Sequence, residues 1–180
     1  MASLELQLAA VRRRPAPRLT HLHGSDFEDI AIAGALLRVL SAAEDFAYSS
    51  LLREFERRAP IMNPQVGRLW DMTSADLGMT WQRLCRAWAD LLGVNVEGAV
   101  EYKQLQPFTD ARNAMVHGMG ELTRKQRSKN DGAAVRGNLA KAGIKLVGNT
   151  VTLDQSNIAG AAHTAVMFIE WLDSQCRTIA

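Results

Sequence analysis

Residues 25–59, SDFEDIAIAGALLRVLSAAEDFAYSSLLREFERRA, decide what kind of fold this chain takes. Phe27, Ile30, Ala33, Leu37, Leu40, Ala43 and Ala47 fall at three- and four-residue steps, the spacing that lines up side chains along one face of an α-helix. Leu51, Leu52 and Phe55 continue the stripe, with Phe46 beside it. Ser25 and Glu28 have capping-box spacing at the start, and Pro60 stops the pattern at the far end. Gly34, inside the run, weakens it a little. Glu44 and Asp45 interrupt the middle. Acids there usually face solvent, yet Glu44 stands one step from the apolar stripe, where it can partner a buried arginine.

Downstream, the same period recurs. Residues 60–73 hold Pro60, Asn63, Pro64 and Gly67 and read as a loop. A helix is expected over about 74–92, where Trp81, Leu84, Cys85, Trp88, Leu91 and Leu92 share a face and Gly93 supplies a C-cap. Its two tryptophans read as core or dimer surface rather than a base-stacking platform. Another helix is expected over about 96–117, with a kink or fresh start at Pro107, with Phe108, Ala111 and Met115 inward, and with Gly118 and Gly120 ending it. Thr123 and Gln126 have the spacing of a second capping box, opening a short basic helix.

Residues 144–153, IKLVGNTVTL, carry the one clear strand signal. A two-residue Gly148-Asn149 turn pairs Leu146 with Val151 and Ile144 with Leu153, all on one face. Asp154 then caps a last helix whose stripe is Ile158, Ala161, Ala162, Ala165, Phe168, Ile169, Leu172 and Cys176. The expected architecture is all-α: a bundle of about five helices with one small β-hairpin before the C-terminal helix. Residues 25–180 form a single domain behind an N-terminal arm, residues 1–24. Within the arm, Leu4, Leu8 and Val11 suggest a short helix over 3–13. Arg12, Arg13 and Arg14 read as a solvated turn in preference to a nucleic-acid arm.

Composition sets broad limits. A hydrophobic fraction of 47%, a charged fraction of 22% and a net charge of +2 describe an ordinary globular protein. Any polyanion site must therefore come from local clustering. Between Arg112 and Lys145 eight basic residues face only Glu121 and Asp131, so that segment carries +6 and the rest of the chain −4. A solvated face is the commoner cause of such a run. Cys85 and Cys176, far apart within apolar patterns, read as buried thiols. His21, His23 and Asp26 read as loop composition, so no metal site and no cofactor is expected. Neither a secretory signal nor a bilayer-spanning stretch is visible, and a cytoplasmic protein without a membrane partner is the expectation.

The chemistry concentrates in residues 110–120, DARNAMVHGMG. Arg112 can neutralise phosphate oxygens through a two-pronged fork, and His117 can move a proton near neutral pH. Asn113 and His117, four apart, are helix neighbours, whereas Arg112 points off that line. A histidine in a last helical turn also caps free carbonyls with no catalysis at all.

Arg112-Asn113, three intervening residues, His117 and Gly118 resemble the Arg-x4–6-His signature of the HEPN superfamily. The run from Leu40 to Phe46, the Gly118–Gln126 continuation, and the hairpin before the last helix look like its RiboL-PSP-type branch, over residues from about 25 to the end. The resemblance implies a homodimeric α-bundle with two copies of the motif meeting at a two-fold axis. It implies a metal-independent endoribonuclease of toxin–antitoxin, phage-defence or RNA-processing systems, with a protein antitoxin or a larger defence complex as a further partner. His117 is then the general acid or base, Arg112 the ligand of the phosphate and transition state, and Asn113 the residue that orients one of them. Glu44 and Asp110 are supporting carboxylates, and Arg124, Lys125, Arg127 and Lys129 hold the RNA. Nucleotidyltransferase-linked relatives place a modifiable tyrosine two residues after the histidine, where this chain has Met119. The alternative is a non-catalytic HEPN-like module that binds RNA or protein, and a weaker third reading is a structural helical subunit.

Overall fold

A computed structural model of the chain describes residues 24–58, 64–78, 80–128 and 131–178. Six helices occur among them: α1 (Gly24–Arg58), α2 (Pro64–Leu77), α3 (Trp81–Leu92), α4 (Val100–Gly118), α5 (Gly132–Lys141) and α6 (Gln155–Thr178). The strands β1 (Lys145–Val147) and β2 (Thr150–Thr152) form a two-stranded antiparallel hairpin just before α6. The expected arm, with its short helix, arginine run, His21 and His23, lies outside the described residues, as do the side chains of Ser25, Asp26, Phe27 and Glu28.

α1 spans 35 residues without a break, so Gly34 is tolerated inside it. Leu36, Leu40, Ala43, Ala47 and Leu51 are its fully buried apolar side chains. This corrects the expected stripe at its upper end, where Ile30 is 61% exposed and Leu36 replaces Leu37 as the inward leucine. α6 covers most of the inner face of α1 with Ala161, Ala165, Phe168 and Leu172, all buried.

Residues 60–73 are not one loop. Pro64 sits at the first position of α2, where its missing N–H and fixed φ cost nothing. The expected helix over 74–92 is two helices, broken at Gly78. A Cβ on Gly78 would come within 2.9 Å of the Tyr48 ring, and the Tyr48 hydroxyl donates to Ser74 O at 3.1 Å. Thr80 then caps α3, its Oγ1 accepting from Arg83 N at 3.2 Å. Gly93, at φ 72°, closes α3 as expected. Both α3 tryptophans are core: Trp81 packs against Tyr102 and Phe168, and Trp88 donates its indole N–H to Ala47 O at 3.1 Å. Cys85 and Cys176 are free, buried thiols, and burial pushes Cys85 up to about 11.

α4 starts at Val100 and runs through Pro107 without interruption, so the helix does not restart there. One ladder hydrogen bond is forgone there, and the burial of Pro107, Phe108, Ala111 and Ala114 outweighs it. The hairpin has the expected register, with Leu146 opposite Val151 and Val147 opposite Thr150 across the Gly148-Asn149 turn. Gly148 takes φ 65°, which only glycine adopts cheaply. Ile144 and Leu153 lie just outside the ladder, both buried. Asp154 accepts from Asn157 N at 3.0 Å while Asn157 Oδ1 accepts from Asp154 N at 3.0 Å, a reciprocal cap that starts α6. Bonds from Ser156 and from Asn157 N–H hold the Asp154 carboxyl below its ordinary range.

Candidate functional site

The last two turns of α4 carry Arg112, Asn113 and His117, and three devices fix where that helix ends. Met119 takes a left-handed conformation at φ 53°, although it is not glycine, and is 95% exposed. Gly120, at φ 90°, sends its N–H back to Ala114 O at 3.1 Å. The chain then runs alongside the hairpin: Leu122 N donates to Asn149 O and Val151 N donates to Gly120 O, both at 2.8 Å, and Glu121 bridges to Thr150. With Leu122 fully buried, the segment just after His117 is effectively a third, minimal strand.

The capping box at Thr123 forms as its spacing predicts. Thr123 N donates to Gln126 Oε1 at 3.0 Å, and Gln126 N donates to Thr123 Oγ1 at 3.3 Å. The basic helix expected behind it does not form. Residues 124–127 make a single turn, and α5 begins only at Gly132. Gln126 has another task, for its side-chain NH2 donates to Asp110 O at 2.8 Å and to Asp110 Oδ1 at 3.4 Å. This buried amide ties the turn to α4 one helical turn before Asn113. Burial pushes Asp110 above its ordinary range, the Gln126 bond opposes that, and the nearby Asp131 charge adds to it. Asp110 therefore braces the turn.

Arg112 reaches α1. One guanidinium nitrogen lies 3.7 Å from Glu44 Oε2, and another donates to Asn113 Oδ1 at 3.4 Å. Glu44 and Arg112 are 21% and 27% exposed at their side chains, so the pair is sheltered yet reachable. Burial raises the Glu44 carboxyl, and the Arg112 charge pulls the other way. The position of Glu44 beside the apolar stripe thus has the consequence its spacing suggests: it partners an arginine.

His117 is exposed and makes no side-chain hydrogen bond to any described residue. With Asn113 and Asp110 it lines an open cleft of about 540 Å3, closed on the far side by Thr123, Lys125, Gln126 and the start of α5. Arg112 is not among the lining residues. Within one chain, then, Arg112 and His117 sit on different faces of α4, and Asn113 belongs to both: its carbonyl oxygen takes the Arg112 bond while its side chain lines the cleft. The cleft also contains Asp131, so two carboxylates face one lysine across it.

Of the expected RNA-holding residues, Lys125 lines the cleft, Arg124 and Arg127 are exposed, and Lys129 falls outside the described residues. Arg136, counted in the basic segment, is committed elsewhere. Its guanidinium donates to Gly148 O at 2.9 Å and to Asn149 Oδ1, clasping the hairpin turn. Asn138 and Asp131 join the cleft without having been singled out from sequence. Both lie on or beside a short helix that periodicity does not reveal.

Among the described residues, no group of three or more His, Cys, Asp or Glu side chains is placed to hold a metal ion, and no helix is long and apolar enough to cross a membrane. No family model, no curated protein and no solved structure matches this chain.

Proposed function

We propose that this chain is a metal-independent endoribonuclease that works as a homodimer, each copy supplying Arg112, Asn113 and His117 to a shared cleft. One observation carries the reading: at one helix end Asn113 bonds an arginine paired with a neighbouring helix and lines the same cleft as an exposed histidine that has no hydrogen-bond partner among the described residues. RNA brings its own nucleophile. A base removes the 2′-hydroxyl proton as that oxygen attacks phosphorus, and an acid gives a proton to the departing 5′-oxygen. The products are a 2′,3′-cyclic phosphate and a 5′-hydroxyl. Positive charge on the phosphoryl oxygens and fixed geometry supply most of the acceleration. One imidazole serves one proton transfer at a time, so two copies of His117 divide the work. Exposed Val116 and Met119 beside it offer apolar surface for the second copy. The sequence resemblance to HEPN proteins adds a toxin or phage-defence setting, with an antitoxin as partner.

The test is cleavage of single-stranded RNA in EDTA with analysis of product ends. Cyclic phosphate ends that disappear in His117→Ala support the proposal. Equal cleavage by wild type, His117→Ala and Arg112→Ala ends it.

A second reading, a non-catalytic RNA-binding module, draws on Asp110 and Asp131. Their carboxylates face the same cleft as His117 and oppose a phosphodiester there. Under it, His117→Ala changes nothing measurable while charge reversal at Arg124 and Arg127, which are exposed and outside that cleft's lining, weakens binding.

A further inference from the structure

A second cleft, of about 780 Å3, opens towards the other end of α5, between that helix, α4 and α6. Its basic residues are Lys103 from α4, Lys141 from the last turn of α5, and His163 on α6. No carboxylate is among its lining residues, in contrast to the His117 cleft with Asp110 and Asp131. The exposed amides of Gln104 and Gln106 add hydrogen-bonding groups, and Val100, 63% exposed, gives an apolar edge. The floor exists because residue 160 is glycine: a Cβ there would meet the Phe108 ring at 3.3 Å, so α6 settles close against α4. Lys103 Nζ donates to Gly98 O at 2.9 Å, whereas Lys141 makes no hydrogen bond to any described residue.

Asn138 lines both clefts. It stands on the ridge between a site with a proton-transfer group and a site with positive charge and no opposing acid.

We propose that the Lys103–Lys141–His163 cleft is a binding groove for single-stranded polynucleotide, which runs along α5 past Asn138 and continues into the His117 cleft. The inference rests on the nucleic-acid reading of the His117 cleft for its direction. Phosphates take the two lysines as point charges and displace their counterions. Bases meet the Gln104 and Gln106 amides and the Val100 edge. The acids of the His117 cleft then matter less for affinity, because the strand is held next door.

The experiment titrates fluorescein-labelled 2′-O-methyl oligouridylate, which lacks the nucleophile for cleavage, against full-length protein over a series of salt concentrations. Lys103→Glu/Lys141→Glu should bind at least about tenfold more weakly. The slope of log affinity against log salt should fall by about 1.4, roughly 0.7 for each single-strand phosphate that is no longer neutralised. Lys141→Glu alone, at an exposed side chain with no described partner, guards against loss of folding and should show about half the change in slope. Unchanged affinity and slope in both variants, or no binding by the wild type, overturns the groove. The two ideas separate cleanly. Binding that depends on the lysines, in a protein that does not cleave oligouridylate, keeps the groove and removes the nuclease. Cleavage by the wild type, with lysine variants that bind and cut normally, removes the groove and keeps the nuclease.

Discussion

Arg112 and His117 belong to one helix end and one motif, yet the protein treats them in opposite ways. Arg112 is anchored: it lies 3.7 Å from Glu44 on another helix, bonds its neighbour Asn113, and is about three-quarters covered. His117 stands exposed with no described side-chain partner, on a turn fixed by the hairpin. The first is held in place by the bundle itself. Among the described residues the second is positioned only through its backbone, and under the proposed reading a substrate or a second copy orients its imidazole. A site divided in this way should respond differently to damage on its two sides.

The largest expected effect is on the loose side. His117→Ala should lower RNA cleavage by roughly 10²–10⁴-fold, the usual contribution of a general acid or base. Thermal unfolding should stay near wild type, since an exposed side chain without partners contributes little to the fold. Arg112→Ala should come next, costing roughly 10²–10³-fold in rate through lost charge stabilisation. Unlike the histidine change, it should also lower stability, by about 1 kcal/mol, because Glu44 is left sheltered without its cation. If both variants lose activity and neither loses stability, the contrast between an anchored and an unanchored residue is broken.

Gln126→Ala probes the same contrast from the turn. That amide meets Thr123 N, Asp110 O and Asp110 Oδ1, all part-buried. Its loss leaves donors and acceptors unmet and should cost roughly 1–3 kcal/mol by chemical denaturation. Activity should fall less than in His117→Ala, because the hairpin still pairs with residues 120–122.

Much of this was visible in the sequence where the signal was local. The hairpin register followed from a two-residue turn and alternation, the cap at Thr123 from three-residue spacing, and the cap at Asp154 from its residue type just before the last stripe. The Arg112, Asn113 and His117 positions on α4 followed from helical period. What sequence missed depends on tertiary partners. Pro64 and Gly67 read as loop but sit in α2, which packs on α3. The Thr123 box was legible, yet its helix did not follow, because Gln126 turns inward to Asp110, sixteen residues away. Arg136 counted as a free cation until the hairpin turn supplied acceptors for it. The charge run from Arg112 to Lys145 proves to be distributed over the pair with Glu44, the hairpin clasp and two separate clefts, which no one-dimensional count separates.

The smallest effect tests the anchor itself. The Glu44 carboxyl is raised above its ordinary 4.5 by burial, with Arg112 opposing. A carboxyl raised on folding favours the folded state when protonated, so its contribution is present below the ordinary value and is lost as pH rises through the raised one. Glu44→Gln has no proton to lose. Relative to wild type, its melting temperature should therefore improve as pH rises above the ordinary carboxyl value. Asp110 is raised in the same direction, but it is present in both proteins and cancels in the difference. In an Arg112→Ala background the opposing charge is gone, so the improvement from Glu44→Gln should grow. A pH-independent difference, or the same difference in both backgrounds, means that Glu44 and Arg112 are neighbours without coupling. The arginine would then be as loosely held as the histidine.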